Sequence, residues 1–301
     1  MKLAITGAGG YLGTELVRQA LTNPLVTSLR VTDRALPPLP ADVEVLKGDL
    51  RNAALRDQFL DGVDSIVHLA AMLGKAAEND PEAARQINID VPLAMIETLR
   101  GTQTRIVFAS SVAVLGADLP QPVTDATPCA PTLLYGAHKA MIETALSCET
   151  RNGRLDAVSL RPSGIVARDG LDAALKTAFM SQVFWAVRRG EDIVLPVEPD
   201  GQTWMASAKI VAKNFLHAAT TGNVPLIDAV TLPALVPSFA ELVEGLKRRF
   251  PESPSKVDFE PDEDIVDLFG SMPNLKTERA SRAGFVSDPD LDTLIINALH
   301  E

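Results

Sequence analysis

A glycine-rich turn at the start of the chain constrains the fold more than any other feature of the sequence. Residues 6–13 read TGAGGYLG and lie between an apolar strand-like run, Lys2–Thr6, and a segment with helical spacing, Tyr11–Leu21. Such a strand-to-helix turn lets the backbone approach a pyrophosphate at the helix N-terminus, although similar glycines also occur in ordinary turns. The pattern predicts a dinucleotide-binding unit whose cofactor contacts are Gly7, Gly10, Tyr11, Leu12 and Gly13.

An aspartate after the second predicted strand, Ser28–Thr32, indicates which dinucleotide is bound. Asp33 lies 20 residues after Gly13, where a carboxylate accepts hydrogen bonds from the adenosine ribose and repels the 2′-phosphate of NADP. The adjacent Arg34 is the alternative, because an arginine there could bind that phosphate. The carboxylate favours NAD. Further cofactor contacts are expected after the third and fourth strands, at Asp49, Leu50, Leu69, Ala70 and Ala71.

Alternating strand-like and helix-like segments predict an α/β protein with a doubly wound parallel sheet, the Rossmann fold. Strands are predicted at Val43–Lys47, Ser65–Leu69, Arg105–Ala109 and Ala157–Arg161, and helices at Ala53–Leu60, Pro81–Leu99 and Tyr135–Cys148. Shorter pieces follow Arg168, with helices predicted at Leu171–Arg188, Ser207–Ala219 and Phe239–Phe250 and a strand at Ile193–Pro196. We therefore expect an NAD-binding domain over residues 1–168, to which a segment around 207–232 returns, and a smaller substrate-binding lobe formed mainly by 169–301.

Composition excludes several kinds of partner. The 28 basic and 39 acidic residues give a net charge of −11, which disfavours nucleic acid. The sequence has no apolar run of 18 or more residues, so no membrane helix is predicted. The N-terminus has no secretory pattern. Two scattered cysteines, Cys129 and Cys148, favour a reducing compartment and hence a cytoplasmic location. Four histidines without paired spacing predict no metal site.

A tyrosine and a lysine four residues apart are the candidate catalytic groups. In YGAHK a helix would place Tyr135 and Lys139 on one face. A phenol with its ordinary pKa near 10 is too weak a base at neutral pH, but a lysine cation and a positive nicotinamide ring favour the phenolate. Ser110 and Ser111 end the fifth predicted strand, where a serine can hydrogen-bond the reacting oxygen. The spacing alone is common on exposed helices, so the order of glycine turn, aspartate, serines, tyrosine and lysine is what indicates catalysis.

This order resembles the extended short-chain dehydrogenase/reductase family, which contains NAD-dependent epimerases and dehydratases. The resemblance covers residues 1–219 and depends on TGAGGYLG (6–13), Asp33, GDL (48–50), HLAA (68–71), Asn88, SSVAVLG (110–116) and YGAHK (135–139). It implies a catalytic triad in which Tyr135 is the general base, Lys139 lowers its pKa and binds the nicotinamide ribose, and Ser111 holds the substrate oxygen. It also implies that Asn88 lies near the cofactor.

Within that family the chain is similar to sugar-acid dehydrogenases over residues 110–143, 160–170, 195–218 and 279–285. Family dehydratases have acidic residues where this chain has Val112 and Ala113. The resemblance therefore implies oxidation of a hydroxyl of a small sugar acid or related hydroxy acid. A nucleotide-sugar epimerase is the alternative. A third reading, a dinucleotide-binding protein without catalysis, is disfavoured by the intact triad.

Substrate contacts are expected from Ser111 and Tyr135, and from three further strand-end residues, Ser163, Arg168 and Lys75. Arg168 has the planar fork that suits a carboxylate, whereas Lys75 is a flexible point charge. The chain differs from the sugar-acid dehydrogenases at three places that are expected to contact the substrate. These are residues 168–173, Gln202 and Gly74–Lys75. Apolar residues on the predicted helices Asp90–Leu99 and Tyr135–Cys148 permit a homodimer, but they equally fit packing within one chain.

Overall fold

A computed structural model of the protein describes residues 1–170, 177–221 and 228–300. Its strands are β1 (Lys2–Thr6), β2 (Ser28–Thr32), β3 (Glu44–Val45), β4 (Ser65–His68), β5 (Arg105–Ala109), β6 (Val123–Thr124), β7 (Asp156–Arg161), β8 (Gly164–Ile165), β9 (Ile193–Leu195), β10 (Met205–Ala206), β11 (Val230–Thr231), β12 (Val257–Phe259) and β13 (Leu275–Lys276). Seven of them form one parallel sheet in the order β11-β7-β5-β4-β1-β2-β3. The predicted Rossmann-like α/β fold is confirmed.

Helices cover both faces of this sheet. They are α1 (Tyr11–Ala20), α2 (Ala53–Leu60), α3 (Gly74–Asn79), α4 (Pro81–Arg85), α5 (Val91–Leu99), α6 (Leu134–Arg151), α7 (Phe179–Arg189), α8 (Ala208–Thr220), α9 (Phe239–Arg249), α10 (Glu263–Ile265), α11 (Glu278–Arg282) and α12 (Leu291–Ala298). On one face, α1 and α8 pack Leu16 and Phe215 against the sheet. On the other, α2, α5 and α6 contribute Phe59, Met95 and Ile142. Because both faces are covered, the central strands are apolar without alternation, as in β5, which is buried throughout.

Several predicted elements have different bounds in the structure. The third strand is only Glu44–Val45 rather than Val43–Lys47. The predicted helix Pro81–Leu99 is divided by a π turn at Gln86–Asp90, because Pro92 has no N–H to continue the α-helical ladder. The helix predicted at Leu171–Arg188 begins at Phe179, and residues 171–176 lie outside the described ranges.

A second core lies in the C-terminal lobe, where α7, α9 and α12 pack Phe184, Phe239 and Ile295 together. Three two-stranded parallel sheets, β8-β10, β9-β12 and β6-β13, complete the described part of this lobe and its junction with the first. Two later elements return to the main sheet, since α8 packs on α1 and β11 pairs with β7. Within the described ranges, no helix has the length and apolar character needed to span a bilayer.

Candidate active site

The glycine turn between β1 and α1 is crowded at positions that only glycine can occupy. A Cβ on Gly9 would lie 1.9 Å from the carbonyl oxygen of Ala35, and one on Gly13 would lie 2.0 Å from that of Gly7. Gly10 is different, because it is exposed and forms the N-cap of α1 without a side-chain hydrogen bond. Gly9, which sequence reasoning missed, therefore holds the turn against the chain after β2, whereas Gly10 leaves the helix N-terminus open. The doubled glycine at 9–10 was the available signal.

Asp33 is joined directly to this turn. Its Oδ2 accepts a hydrogen bond from the Gly9 amide at 3.0 Å, and its Oδ1 accepts one from the Arg34 amide at 2.6 Å. The carboxylate is half-buried, whereas the Arg34 side chain is exposed. Backbone donors thus hold the Asp33 carboxylate beside the open end of α1, where lone pairs remain available to ribose hydroxyls.

The segment after β4 is held by two buried polar side chains. The Thr6 hydroxyl accepts hydrogen bonds from the amides of Leu69 and Ala70, at 3.1 and 3.2 Å. Asn88, which is 2% exposed, donates to the Met72 carbonyl at 2.9 Å and accepts from the Met72 amide at 2.8 Å. Both the oxygen and the nitrogen of the Asn88 amide are therefore bonded to the backbone, and the residue holds the segment after β4 in place.

Three other predicted cofactor residues differ in their surroundings within the protein. The Asp49 carboxylate pairs with Arg51 at 2.8 Å, and hydrogen bonding to this arginine lowers the pKa of Asp49. Leu50 is buried among the apolar side chains beneath α2 and α5. Ala71 is half-buried beside Ala70 at the end of β4.

These features fit NAD. The first amides of α1 have no carbonyl partner within the helix, and its first turn contains no acidic residue that would compete with a phosphate. The close packing at Gly9 and Gly13 leaves no room for side chains in the turn, so a ligand could approach its backbone. Asp33 lies at the ribose position expected for NAD.

The structure brings Ser111, Tyr135 and Lys139 together at the carboxyl edge of the sheet. Ser111 lies in the chain segment that follows β5, directly before the turn Val112–Leu115. Its hydroxyl accepts a hydrogen bond from the Ala113 amide at 3.1 Å. The first turn of α6 packs closely on that segment, since a Cβ on Gly136 would lie 2.4 Å from the Ala113 carbonyl oxygen. This close approach places the Tyr135 phenol within reach of the Ser111 hydroxyl. The Lys139 Nζ lies 5.6 Å from the centroid of the Tyr135 ring.

Burial controls the electrostatics of this site. It raises the pKa of Tyr135 well above its ordinary value, and the hydrogen bond with Ser111 opposes that increase. Burial also lowers the pKa of Lys139 to about 7, against the opposing charge of Glu143. Burial therefore shifts both groups toward their neutral forms, and an added positive charge near the phenol would favour the phenolate.

The helix α6, which carries Tyr135 and Lys139, is capped from a distant part of the chain. Leu133 at its N-cap offers no side-chain acceptor, and the Leu134 amide instead donates to Glu78 Oε1 at 2.8 Å. Glu78 lies on α3, a helix that sequence reasoning missed. The same helix carries Lys75, whose side chain is exposed.

The other predicted substrate residues lie at the ends of the following strands. The Ser163 hydroxyl is buried and has no hydrogen-bond partner within the described ranges. Arg168 is exposed and lies close to the glycine turn, where Tyr11 donates to the Val166 carbonyl at 3.0 Å. Burial raises the pKa of Tyr11 to about 12, and the positive charge of Arg168 opposes this.

A polar cleft of about 480 Å³ lies between the chain after Ser111 and the C-terminal lobe. Its described lining comes from the segments 116–121, 198–202 and 266–273 and includes the carboxylates of Glu198, Asp200 and Asp267, together with Gln202. No lysine or arginine occurs among these lining residues. The cleft is consequently a poor site for a phosphate.

Comparison with known proteins identifies similar sequences over the full chain. The model of the NAD dependent epimerase/dehydratase family matches residues 3–206. D-Erythronate dehydrogenase of Haemophilus influenzae is 29% identical over 307 residues, which cover 98% of each chain. The D-erythronate dehydrogenase of Cupriavidus necator is 31% identical over 313 residues, which cover 98% of this chain and 97% of that protein.

Solved structures show the same fold. A nucleoside-diphosphate-sugar epimerase from Agrobacterium tumefaciens superposes with a TM-score of 0.90 at 27% identity, covering 100% of this chain and 94% of that chain. A GalE-like L-threonine dehydrogenase from Cupriavidus necator, in its holo form, has a TM-score of 0.87 at 19% identity. The superposition covers 100% of this chain and 99% of that chain. At 19% identity, the similarity to the L-threonine dehydrogenase shows only that the two folds are alike.

Proposed function

Because the chain belongs to the NAD dependent epimerase/dehydratase family, we propose that it is a dehydrogenase that oxidises a hydroxyl of a small sugar acid or related hydroxy acid. NAD is the cofactor of this family. The observation that carries the proposal is the assembly of Ser111, Tyr135 and Lys139 beside the glycine turn. The full-length similarity to two D-erythronate dehydrogenases supports the substrate class.

The chemistry assigns one task to each member of the triad. Ser111 donates a hydrogen bond to the substrate oxygen, and Tyr135 removes the hydroxyl proton as the carbonyl forms. Lys139 in its charged form stabilises the Tyr135 phenolate and holds the nicotinamide ribose. NAD, when bound, accepts the hydride that leaves the substrate carbon. Exclusion of water by the buried site strengthens each of these interactions.

The proposed cofactor contacts follow from the turn and the strand ends. Amides at the start of α1 take the pyrophosphate, and Asp33 takes the adenosine ribose, with Arg34 beside it. Asn88 acts indirectly through Met72. The full proposed set is Gly7, Gly10, Tyr11, Leu12, Gly13, Asp33, Arg34, Asp49, Leu50, Leu69, Ala70, Ala71, Asn88, Tyr135 and Lys139.

For the substrate, we propose that Arg168 binds the carboxylate and that Ser163 contacts a hydroxyl. Arg168 is an exposed guanidinium near the glycine turn, and the neighbouring carboxylate of Asp169 is already paired with Arg189 at 2.6 Å. Lys75 is the weaker candidate because its ammonium cannot form a two-pronged contact.

A nucleotide-sugar epimerase is the second candidate, favoured by the structural similarity to the Agrobacterium tumefaciens epimerase. The two D-erythronate dehydrogenases, which are similar to this chain over 98% of its length, favour the dehydrogenase instead. We therefore place the dehydrogenase first.

A screen of C4–C6 aldonic and uronic acids with NAD tests the proposal, with NADH formation followed at 340 nm. Net NADH from at least one acid, and none from UDP-sugars, is the expected result. Tyr135→Phe should lower kcat about 100-fold or more with little change in NAD affinity. Interconversion of a nucleotide sugar without net NADH would instead establish the epimerase.

Assembly, location and domain organisation complete the proposal. We propose a homodimer formed through α5 and α6, since Leu93 and Met141 are 39% and 56% exposed on these helices. We place the protein in the cytoplasm, because Cys129 and Cys148 are both free thiols. Residues 1–168 with 207–232 serve the cofactor, and the remainder of 169–301 serves the substrate. Light scattering of the purified protein measures the oligomeric state.

A further inference from the structure

The catalytic lysine lies over the face of an aromatic ring. Lys139 is 2% exposed, and its Nζ is 4.5 Å from the centroid of the Phe108 ring. An ammonium within about 6 Å of a ring centroid is attracted by the negative face of the ring. Phe108 is itself 1% exposed and belongs to β5, three residues before Ser111.

The charged groups near Lys139 do not provide it with a dedicated counter-ion. Within the described ranges, no carboxylate forms an ion pair with Lys139. Glu143, one turn along α6, accepts hydrogen bonds from Arg161 at 2.6 and 2.8 Å, so its carboxylate is already paired with another cation. Tyr135 and His138 are the titratable groups next to Lys139 on the same helix, and His68 faces Lys139 from β4.

His68 packs beside the Phe108 ring from the neighbouring strand. Thr6, His68 and Phe108 are register partners on the adjacent strands β1, β4 and β5, so we call them the Thr6–His68–Phe108 row. The rings of His68 and Phe108 are stacked, with centroids 6.0 Å apart and planes inclined by 15°. Phe108 therefore has little freedom to move away from Lys139.

The imidazole of this row is neutral because it is buried. Its Nδ1 is hydrogen-bonded to the Thr6 hydroxyl at 2.8 Å, and the same hydroxyl accepts the amides of Leu69 and Ala70. Burial, with Lys139 as a second cause, lowers the pKa of His68 to about 3. A second positive charge beside Lys139 is thereby avoided.

We propose that Phe108 is a positioning residue whose ring face replaces a counter-ion for Lys139 and holds the ammonium beside Tyr135, with His68 fixing the ring. The inference rests on the proposed function only for the role of Lys139 in turnover. The contact itself is a property of the cofactor-free protein. Loss of the ring face should make the ammonium less favourable, so that Lys139 loses its proton at lower pH.

The test is a titration of Lys139 in the full-length protein without cofactor, by NMR of ¹³C-lysine-labelled samples. The resonance that disappears in Lys139→Met identifies the residue. Phe108→Leu should lower the midpoint of this titration by about 0.5–1 pH unit, the shift expected from a desolvated cation–π contact. Phe59→Leu, a substitution of another buried phenylalanine in the same core, should leave it unchanged. Phe108→Tyr retains the ring and should restore the wild-type midpoint.

A second variant separates electrostatics from packing. 3,4,5-Trifluorophenylalanine at position 108 keeps the shape of the ring and withdraws charge from its face, so it should lower the midpoint even if Phe108→Leu fails to fold. In the active enzyme, Phe108→Leu and the fluorinated ring should each move the alkaline limb of the kcat–pH profile to lower pH, by about the same amount as the Lys139 midpoint. An unchanged Lys139 midpoint in the fluorinated protein would overturn the inference. Failure to find any hydroxy-acid substrate would instead count against the proposed function, because the titration uses none.

Discussion

Replacing Lys139 with methionine should abolish turnover and yet stabilise the cofactor-free protein at neutral pH. Lys139 is buried, and burial lowers the pKa of its ammonium to about 7. At pH 7 and below, folding therefore transfers a charge from water into a site that disfavours it. Methionine fills a similar volume without a charge, so the cost disappears with the substitution.

The magnitude and its pH dependence follow from the two pKa values of the lysine. An ordinary value of 10.5 in the unfolded chain and about 7 in the folded protein correspond to at most about 5 kcal/mol, at about 1.4 kcal/mol per pH unit. Between these two values the unfolded chain binds more protons, so the stability of the wild type rises with pH across this window. The advantage of Lys139→Met should be about 4 kcal/mol at pH 7 and about 2 kcal/mol at pH 9.

Urea unfolding without NAD, followed by circular dichroism at pH 7 and pH 9, measures this difference. Lys209→Met is the matched control, because Lys209 is an exposed lysine on α8 and its removal should change the free energy of unfolding little at either pH. The reasoning would be refuted if Lys139→Met were no more stable than the wild type at pH 7, or if its advantage did not shrink at pH 9.

Three further predictions concern the cofactor turn and the proposed carboxylate site. Gly9→Ala should weaken NAD binding at least about tenfold in calorimetry, because its Cβ would meet the Ala35 carbonyl oxygen at 1.9 Å; unchanged affinity would show that the turn can move away. Asp33→Ala should reduce the preference for NAD over NADP by about tenfold or more, which is about 1.4 kcal/mol, whereas a wild type that already prefers NADP would show that Arg34 decides the choice. Arg168→Lys should raise KM for the best acid more than Lys75→Arg does, since losing a charge-assisted pair costs about ten- to a hundredfold, and an unchanged KM in Arg168→Ala would remove this arginine from the substrate site.

The sequence by itself determined the main sheet and the family of the protein. The strands Lys2–Thr6, Ser28–Thr32 and Arg105–Ala109 have the predicted bounds in the structure. They could be predicted because their signals are local: an apolar run marks a buried strand, and glycines next to it mark the turn. The parallel sheet and the family followed from the order of these local signals, and both are confirmed.

Only the tertiary structure decided the contacts that join distant parts of the chain. The crowding of Gly9 against Ala35, the cap that Glu78 provides for α6 and the stack of His68 on Phe108 each link different elements. Local spacing contains no information about such contacts, because they depend on how strands are ordered and how loops fold back. The burial that lowers the pKa of Lys139 is of the same kind. A motif could name the lysine, but its protonation state depends on the side chains that the fold packs around it.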